Sequence, residues 1–309
     1  MESTERFAPA GVNCAMVTPF DGSDGVDLEQ VRKIVRFLIE KKVDGVFPVS
    51  NVGEFLLQSM EERKSVIAAV LEEGKGRIRV MPGVSDLSID NCLELADFSY
   101  RHGADAVVVC APYYYPYPQD YIRRYLETVA DRSKLPVVLY NSPAFACRIE
   151  FEPLMALCRH PNITAVKESS GDVKFLLKFL NALDAQDSRK SVLLGWEELL
   201  LTGLTLGAKG CMVASASIVP ELLVGVRDAF QHGDMERAVG LQKEVVRIAG
   251  LAGALGFPHG YKLGVRSRGF DFRIFRGDAF QAEEMRLNES LPGFRAQVEE
   301  SLSRWGLRA

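Results

Sequence analysis

A lysine ends a run of core residues in the stretch ITAVKESS, residues 163–170. Lysine is almost never fully buried without a partner or a chemical task. An amine that loses water at the end of a strand gives up its proton more readily and becomes nucleophilic. It can then condense with a ketone or aldehyde, and the resulting iminium accepts electrons when an adjacent C–C bond breaks. Lys167 is therefore a candidate nucleophile; the alternative is a lysine that reaches solvent or pairs with Glu168.

Two further groups fit the same chemistry. Tyr140 ends the preceding apolar run, and neighbouring strands lie about 4.8 Å apart, so its hydroxyl can reach the space above Lys167 and move protons there. The alternative is a rim tyrosine that packs its ring and binds water. The turn SNVGE at residues 50–54 offers backbone N–H groups to a substrate carboxylate. Ser169 can add a hydroxyl donor to the same anion.

Alternating apolar runs and segments of helical period must position these groups. The predicted strands lie at 12–17, 43–49, 78–82, 105–110, 136–140, 163–167, 191–195 and 210–214. The predicted helices lie at 28–42, 60–73, 89–101, 119–131, 151–159, 172–182, 197–206 and 220–231. Continuous apolar strands are typical of parallel sheets covered on both faces. We predict a TIM (β/α)8 barrel at residues 1–231, whose active site lies at the carboxyl ends of the strands; a doubly wound open sheet is the alternative.

The remaining chain, residues 232–309, has only helical periodicity. The pattern occurs at 238–248, near 258–268, at 279–290 and at 293–305, and Pro292 with Gly293 separates the last two segments. We interpret this part as a helical extension of the barrel rather than an independent domain.

Composition excludes several classes of protein. The chain has 309 residues, of which 47% are apolar and 25% charged, with a net charge of −4 and scattered Lys and Arg, which argues against nucleic-acid binding. No apolar run approaches the ~18 residues of a membrane helix, and the polar start MESTERFAPAG does not predict a signal peptide. The six cysteines form no C-x-x-C pair and the four histidines lie far apart. We therefore expect buried thiols, no metal site and a cytoplasmic location.

The motifs around these residues resemble those of the dihydrodipicolinate synthase/N-acetylneuraminate lyase family of class I, Schiff-base-forming lyases. The resemblance runs from end to end and includes VTPF at 17–20, SNVGE at 50–54, PYYYP at 112–116, LYNSP at 139–143, VKESSGD at 166–172 and GAKG at 207–210. The combination of YNxP and KxSSGD at the ends of consecutive strands is the most specific part, with Tyr140 and Lys167 separated by 167 − 140 = 27 positions.

The resemblance implies a role for each matching residue. Lys167 would form the Schiff base with pyruvate or another 2-oxo acid, and Tyr140 would be the general acid and base over the imine. The backbone amides of Asn51 and Val52 would bind the pyruvyl carboxylate, and Met212 would pack beside the pyruvate. The implied fold is a TIM barrel with three C-terminal helices, and neither a metal nor an organic cofactor is expected.

The family is usually tetrameric, a dimer of tight dimers, and the resemblance implies a homotetramer here. Tyr114 matches the tyrosine that enters a neighbouring subunit's site in such tetramers. Ser50, Asn51 and Val52 replace the usual G-T-T or G-S-T. A hydroxyl relay from Tyr140 through threonine to Tyr114 therefore cannot run in its usual form.

Other differences from the family's motifs concern the binding of the second substrate. Phe145 stands where dihydrodipicolinate synthases have an arginine that binds a substrate carboxylate, and Arg148 is poorly placed to replace it. Without that clamp the anion stays unpaired, which argues against lysine biosynthesis. Glu197 and Glu198 are similar to the acidic pair that contacts sugar hydroxyls in N-acetylneuraminate lyases, although a helix N-terminus also favours acidic residues. We expect Glu197 to face the site.

These observations predict a pyruvate-dependent aldolase that cleaves or forms a 2-keto-3-deoxy sugar acid, with pyruvate and an aldehyde as the other reactants. The alternatives are a dehydratase that uses the same imine, an N-acetylneuraminate lyase and a 4-hydroxy-tetrahydrodipicolinate synthase. A non-catalytic homologue that binds 2-oxo acids is the alternative outside the enzymes.

Overall fold

Eight parallel strands form a closed barrel in the computed structural model, which describes residues 7–186 and 188–308. The strands are β1 (Gly11–Ala15), β2 (Gly45–Phe47), β3 (Arg79–Val80), β4 (Val107–Cys110), β5 (Val137–Asn141), β6 (Ile163–Glu168), β7 (Ser191–Leu194) and β8 (Gly210–Val213). Their order in the sheet is β3-β2-β1-β8-β7-β6-β5-β4. A parallel bridge between Gly83 and Val108 joins the segment after β3 to β4. This bridge closes the circle, so the predicted (β/α)8 barrel is confirmed and the open sheet is excluded.

A helix follows each strand, close to its predicted position. The barrel helices are α1 (Leu28–Glu40), α2 (Met60–Gly74), α3 (Ile89–Arg101), α4 (Gln119–Arg132), α5 (Phe151–Cys158), α6 (Val173–Ala185), α7 (Leu200–Thr205) and α8 (Pro220–Gln231). Ser59 and Glu62 make both hydrogen bonds of a capping box at the start of α2, as the S-x-x-E pattern predicts.

The predicted helix at 197–206 is divided in the structure. Residues Glu197–Leu199 form a 3-10 turn, and α7 begins only at Leu200. Gln242 explains the division, because its side chain donates to the Glu197 carbonyl at 2.9 Å and accepts from the Leu201 N–H at 3.0 Å. These bonds satisfy backbone groups that a regular first turn leaves to caps or solvent.

Four helices follow the barrel in the described part of residues 232–308: α9 (Met235–Ala254), α10 (His259–Ser267), α11 (Gln281–Asn288) and α12 (Leu291–Arg304). The four periodic segments correspond to these helices, whereas the resemblance implied three. Pro292 does not lie between the last two helices but in the first turn of α12, where the missing N–H costs no hydrogen bond.

A single apolar core connects these helices to the barrel. Side chains of α9, α10 and α12, such as Leu241, Leu263 and Leu302, belong to the same buried cluster as the strands. The division into residues 1–231 and 232–309 falls in the short link between α8 and α9, and it stays a prediction.

Three expectations concern surfaces and thiols. No helix within the described ranges is both long and apolar enough to cross a membrane. The six cysteines are free, and five of them are buried. Within residues 7–186 and 188–308, no cluster of three His, Cys, Asp or Glu side chains is arranged to hold a metal ion. Residues 1–6, part of the polar segment from which we expect no signal peptide, lie outside the described residues.

Candidate active site

Lys167 lies inside the mouth of the barrel, near the end of β6. Its side chain is only 4% exposed. Its Nζ lies 4.0 Å from the centroid of the Tyr140 ring and 5.0 Å from that of Phe47. The sheet register pairs Tyr140 directly with Lys167. A lysine that reaches bulk solvent is therefore excluded, and the amine lies among aromatic rings.

Glu168, the other proposed partner of Lys167, is directed away from it. Successive side chains of a strand point to opposite faces of the sheet. The Glu168 carboxylate accepts hydrogen bonds from Asn141 Nδ2 at 2.7 Å and from the Ser170 N–H at 2.6 Å. Burial raises the pKa of this carboxyl above its usual value. Asn141 and Glu168 thus fasten the ends of β5 and β6 together behind Tyr140 and Lys167, a positioning role that the sequence analysis did not identify.

A cavity of about 200 Å³ opens above Lys167 at the carboxyl ends of the strands. Seven of the nine predicted site residues line it, namely Asn51, Val52, Tyr140, Lys167, Ser169, Glu197 and Met212. A larger hollow of about 740 Å³ lies at the opposite, amino-terminal end of the strands, around Asp44, Arg79 and Asp105. Barrel enzymes hold their active sites at the carboxyl end, so the smaller cavity is the candidate site.

The turn that carries Asn51 and Val52 has an unusual backbone. Val49 and Glu54, which flank it, both have a φ of +56°, and such left-handed backbone is strongly disfavoured for a β-branched residue. The Ser50 hydroxyl donates to the Met16 carbonyl at 2.9 Å and accepts from the Gly53 N–H at 3.1 Å. Ser50 therefore stabilises the turn through these two hydrogen bonds, and it does not line the cavity.

Two polar atoms of the cavity wall have no partner. Asn51 Nδ2 and Ser169 Oγ are both buried without a hydrogen bond. Ser169 also lies so close to Gly195 that a Cβ at that glycine would meet its Oγ at 1.6 Å. Most buried polar groups are paired, so two unpaired groups on residues that line the same cavity as Lys167 are candidates for contact with a ligand.

A buried ion pair supports the turn from the C-terminal extension. Lys262 of α10 is fully buried, pairs with Glu54, and donates to the Ile274 carbonyl at 2.9 Å. Burial lowers the pKa of Lys262 to about 8, against the opposing charge of Glu54. Burial alone would raise the pKa of Glu54, but hydrogen bonds from His259 and Lys262 hold it below its usual value. No local pattern in the sequence connects residues 54 and 262.

Glu197 faces the cavity as expected, and Glu198 is exposed. One oxygen of the Glu197 carboxylate accepts a hydrogen bond from the Ser215 N–H at 3.1 Å. Burial raises the pKa of Glu197 above its usual value. Burial, together with the nearby charge of Glu197, also raises the pKa of the Tyr261 hydroxyl. Glu197 and Tyr261 thus form a buried corner of the cavity in which both pKa values are raised.

Aromatic rings form the outer wall of the cavity. Phe145 packs against Phe257 with ring centroids 5.2 Å apart, and Phe257 packs against Tyr261 at 5.9 Å. The Trp196 indole N–H donates to the Ser169 carbonyl at 2.8 Å, which places this ring on the same wall. Phe257 and Tyr261 belong to the C-terminal extension, and the sequence analysis identified neither of them.

Two residues considered in the sequence analysis lie outside the cavity wall. Tyr114 is 85% exposed, has a φ of +75°, and packs its ring against Tyr115. Arg148 pairs with Asp172 at 3.5 Å. Arg148 therefore does not take the place of the arginine that is missing at position 145.

Comparisons with known proteins match this chain over most of its length. The model of the dihydrodipicolinate synthetase family matches residues 8–289. The 4-hydroxy-tetrahydrodipicolinate synthase 1 of Streptomyces coelicolor is 34% identical over 260 residues, which cover 84% of each chain. The N-acetylneuraminate lyase of Citrobacter koseri is 31% identical over 256 residues, which cover 82% of this chain and 84% of the lyase. Among solved structures, YagE, an E. coli K12 prophage protein of the dihydrodipicolinic acid synthase family in complex with pyruvate, is 26% identical, with a TM-score of 0.82 and coverage of 92% and 98%.

Proposed function

Since this chain belongs to the dihydrodipicolinate synthetase family and is a carbon–carbon lyase, we propose that it is a class I aldolase acting on 2-keto-3-deoxy acids. One observation carries the proposal: the buried Lys167 amine lies over the Tyr140 ring, beside the unpartnered Asn51 Nδ2 and Ser169 Oγ. A nucleophile, a proton carrier and an anion site are what the Schiff-base reaction of a 2-oxo acid requires.

The reaction begins at Lys167. Its uncharged Nζ attacks C2 of the 4-hydroxy-2-oxo acid, and water leaves to give the iminium. The Tyr140 phenol oxygen takes the proton of the C4 hydroxyl and returns a proton later in the cycle. The C3–C4 bond then breaks, the aldehyde departs, and the bonding electrons enter the iminium to form an enamine. Protonation at C3 and hydrolysis release pyruvate and restore the amine. The iminium is the electron sink, so this sequence of steps needs neither a metal nor an organic cofactor.

The substrate carboxylate binds at the strained turn. The backbone amides of Asn51 and Val52, with Asn51 Nδ2 and Ser169 Oγ, supply its donors, and Met212 packs beside the methyl carbon of the pyruvyl unit. A turn held in position before the substrate arrives loses little entropy when the substrate binds. The buried Glu54–Lys262 pair and the Ser50 hydroxyl hold that position.

The prediction that the substrate is a 2-keto-3-deoxy sugar acid depends on Glu197. Its carboxyl group lines the cavity and can exchange a hydrogen bond with a hydroxyl of the departing aldehyde. Phe145 at the position of the carboxylate-binding arginine argues against a 4-hydroxy-tetrahydrodipicolinate synthase, because a second anion would have no cation to pair with. Assays with 2-keto-3-deoxygluconate, N-acetylneuraminate and aspartate semialdehyde separate the aldolase from the two alternative lyases. A dehydratase would convert the first compound without releasing pyruvate.

The assembly and location follow the family. We infer a cytoplasmic homotetramer, in which the exposed Tyr114 loop lies at a subunit contact. The 85% exposure of Tyr114 in a single chain supports this arrangement, because a large ring that is so open is often covered in an assembly. Light scattering of the purified protein measures the subunit number, and a monomer would contradict the inference.

Borohydride trapping tests the proposed chemistry. Pyruvate and borohydride should convert Lys167 into a stable secondary amine, which peptide mapping by mass spectrometry locates. Lys167→Arg should abolish the adduct, whereas Lys178→Arg, at an exposed lysine on α6, should leave it unchanged. Pyruvate that binds without an adduct would instead identify a non-catalytic 2-oxo-acid-binding protein.

A further inference from the structure

The mouth of the cavity is unusually rich in exposed aromatic rings. Phe145 is 52% exposed, Phe257 43% and Trp196 39%, and all three line the same opening. They come from three separate segments: the loop after β5, the turn after β7 and the link between α9 and α10. Scattered apolar residues on a surface need no explanation, but a cluster around a concave site indicates a binding surface.

The charges of the lining exclude an acidic aldehyde. Among the described residues that line the cavity there is no arginine, and Lys167, which the imine occupies, is the only lysine. Glu197 is the only carboxylate in that lining. An anionic substituent on the aldehyde would therefore lose its hydration without gaining a cation.

A polyhydroxy chain could use Glu197 for one hydroxyl but would find few partners for the others. Every hydroxyl that leaves water needs a hydrogen-bond partner. Apart from the groups assigned to the pyruvyl unit and to the reacting carbonyl, the polar side chains in the described lining are Ser142, Glu197 and Tyr261. Glu197 and Tyr261 face one another, and Glu197 already accepts from the Ser215 N–H. Hydroxyls further along the substrate would lie against the rings of Phe145, Trp196 and Phe257.

On the basis of this aromatic wall, we propose that the aldehyde substrate of this enzyme is aromatic. The proposal rests on the proposed aldolase function. The ring of the aldehyde lies against Phe145, Trp196 and Phe257, and its carbonyl oxygen points inward to Tyr140. The wall already contains a tilted Phe145–Phe257 pair and an edge-to-face Phe257–Tyr261 pair, and a substrate ring would extend the offset and edge-to-face contacts that aromatic rings prefer. The carbon skeleton formed with pyruvate is then a 4-aryl-4-hydroxy-2-oxo acid.

A comparison of aldehydes tests this proposal. Purified enzyme condenses pyruvate with benzaldehyde, D-glyceraldehyde or aspartate semialdehyde, and kcat/KM is measured for each aldehyde. Benzaldehyde should be preferred over glyceraldehyde by about tenfold or more, and aspartate semialdehyde should react most slowly. A rate with glyceraldehyde equal to or above that with benzaldehyde would overturn the proposal.

Variants of the wall provide the second measurement. Phe257→Ala should lower kcat/KM for benzaldehyde about tenfold and that for glyceraldehyde much less. Phe145→Arg should lower the rate with benzaldehyde and raise that with aspartate semialdehyde, since it introduces a cation at the mouth. Phe280→Ala removes another exposed ring of the extension, outside the cavity, and should change neither. Equal losses with all three aldehydes in Phe257→Ala would contradict an aromatic site.

The pyruvate adduct separates the two possible failures. Borohydride trapping requires no aldehyde, so an enzyme without an adduct lacks the proposed aldolase chemistry. An enzyme that forms the adduct on Lys167 but prefers polyhydroxy aldehydes keeps that function and refutes only the aromatic substrate.

Discussion

The two halves of the cavity are built differently. The inner half, around Lys167 and Tyr140, lies on strand ends and is buried. The strained turn beside it is held by the Ser50 hydroxyl and by the Glu54–Lys262 pair. The outer half consists of exposed aromatic rings on loops and on the C-terminal extension. Under the proposed function, the reacting groups lie on the rigid scaffold, and the groups that select the second substrate lie on segments that can vary without disturbing that scaffold.

The two halves also differ in the pKa of their buried carboxyl groups. Glu54, behind the inner half, is paired with Lys262 and has a lowered pKa. Glu197, at the border with the outer half, accepts from the Ser215 N–H, lies against the Tyr261 hydroxyl, and has a raised pKa because of its burial. The surroundings thus lower the pKa of the Glu54 carboxyl and raise that of the Glu197 carboxyl.

The largest expected effect is at Lys167. Lys167→Ala should lower kcat by about 10⁴-fold or more, because the electron sink is lost together with the nucleophile. The melting temperature should not fall, since the substitution removes a buried amine that costs desolvation. Steady-state kinetics and a thermal melt measure the two quantities, and activity within tenfold of the original protein would contradict the assignment.

The next effect concerns the support of the inner half. Lys262→Met leaves Glu54 buried without its partner and should lower the free energy of unfolding by about 3–5 kcal/mol. The double variant Glu54→Leu/Lys262→Met should regain much of that loss, because two apolar side chains replace the ion pair. The KM for pyruvate should be raised in the single variant and should remain raised in the double variant, since the ion pair no longer holds the turn in either. Urea unfolding and pyruvate kinetics distinguish this positioning role from a purely structural one, for which KM would also recover.

A smaller effect compares one residue from each half. Ser50→Ala removes two buried hydrogen bonds and should cost about 1–3 kcal/mol of stability. Phe257→Leu, at a ring that is 43% exposed, should cost about 1 kcal/mol or less. Urea unfolding of both variants measures the difference, and equal costs would mean that the inner half is no more rigidly held than the outer.

The smallest effect is the pH dependence of stability. The folded pKa of Glu54 lies below the ordinary value of 4.5, so its contribution is present above pH 4.5 and is lost as the pH falls through the folded pKa. The folded pKa of Glu197 lies above 4.5, so the folded state binds more protons there and its stability declines as the pH rises from 4.5 to the folded pKa.

Glutamine variants separate these two contributions. Glu197→Gln should raise the melting temperature at pH 7 by about a degree or two, and by less at pH 4. Glu54→Gln should lower it at pH 7, and by less at pH 4. Melting curves at the two pH values provide the measurement. A change of the same sign in both variants would show that the two carboxylates are held alike.

Most of the inner half could be predicted from local sequence. Lys167, Tyr140 and the turn at 50–54 each follow a continuous apolar run, and a parallel barrel brings the ends of its strands to one face. The supports of that half could not be predicted. The Glu54–Lys262 pair joins positions 262 − 54 = 208 residues apart, and only the packing of α10 against the barrel brings them together.

The sequence by itself determined the barrel, the order of its elements and the residues that meet above β6, because periodicity and strand-end position are local properties of the chain. Tertiary structure alone decided that the Ser50 side chain lies behind its turn, and that Phe257 and Tyr261 of the extension join Phe145 and Trp196 in one wall. The physical reason is that burial, pKa and ring contact depend on what lies across the cavity. In this protein those neighbours come from segments far apart along the chain.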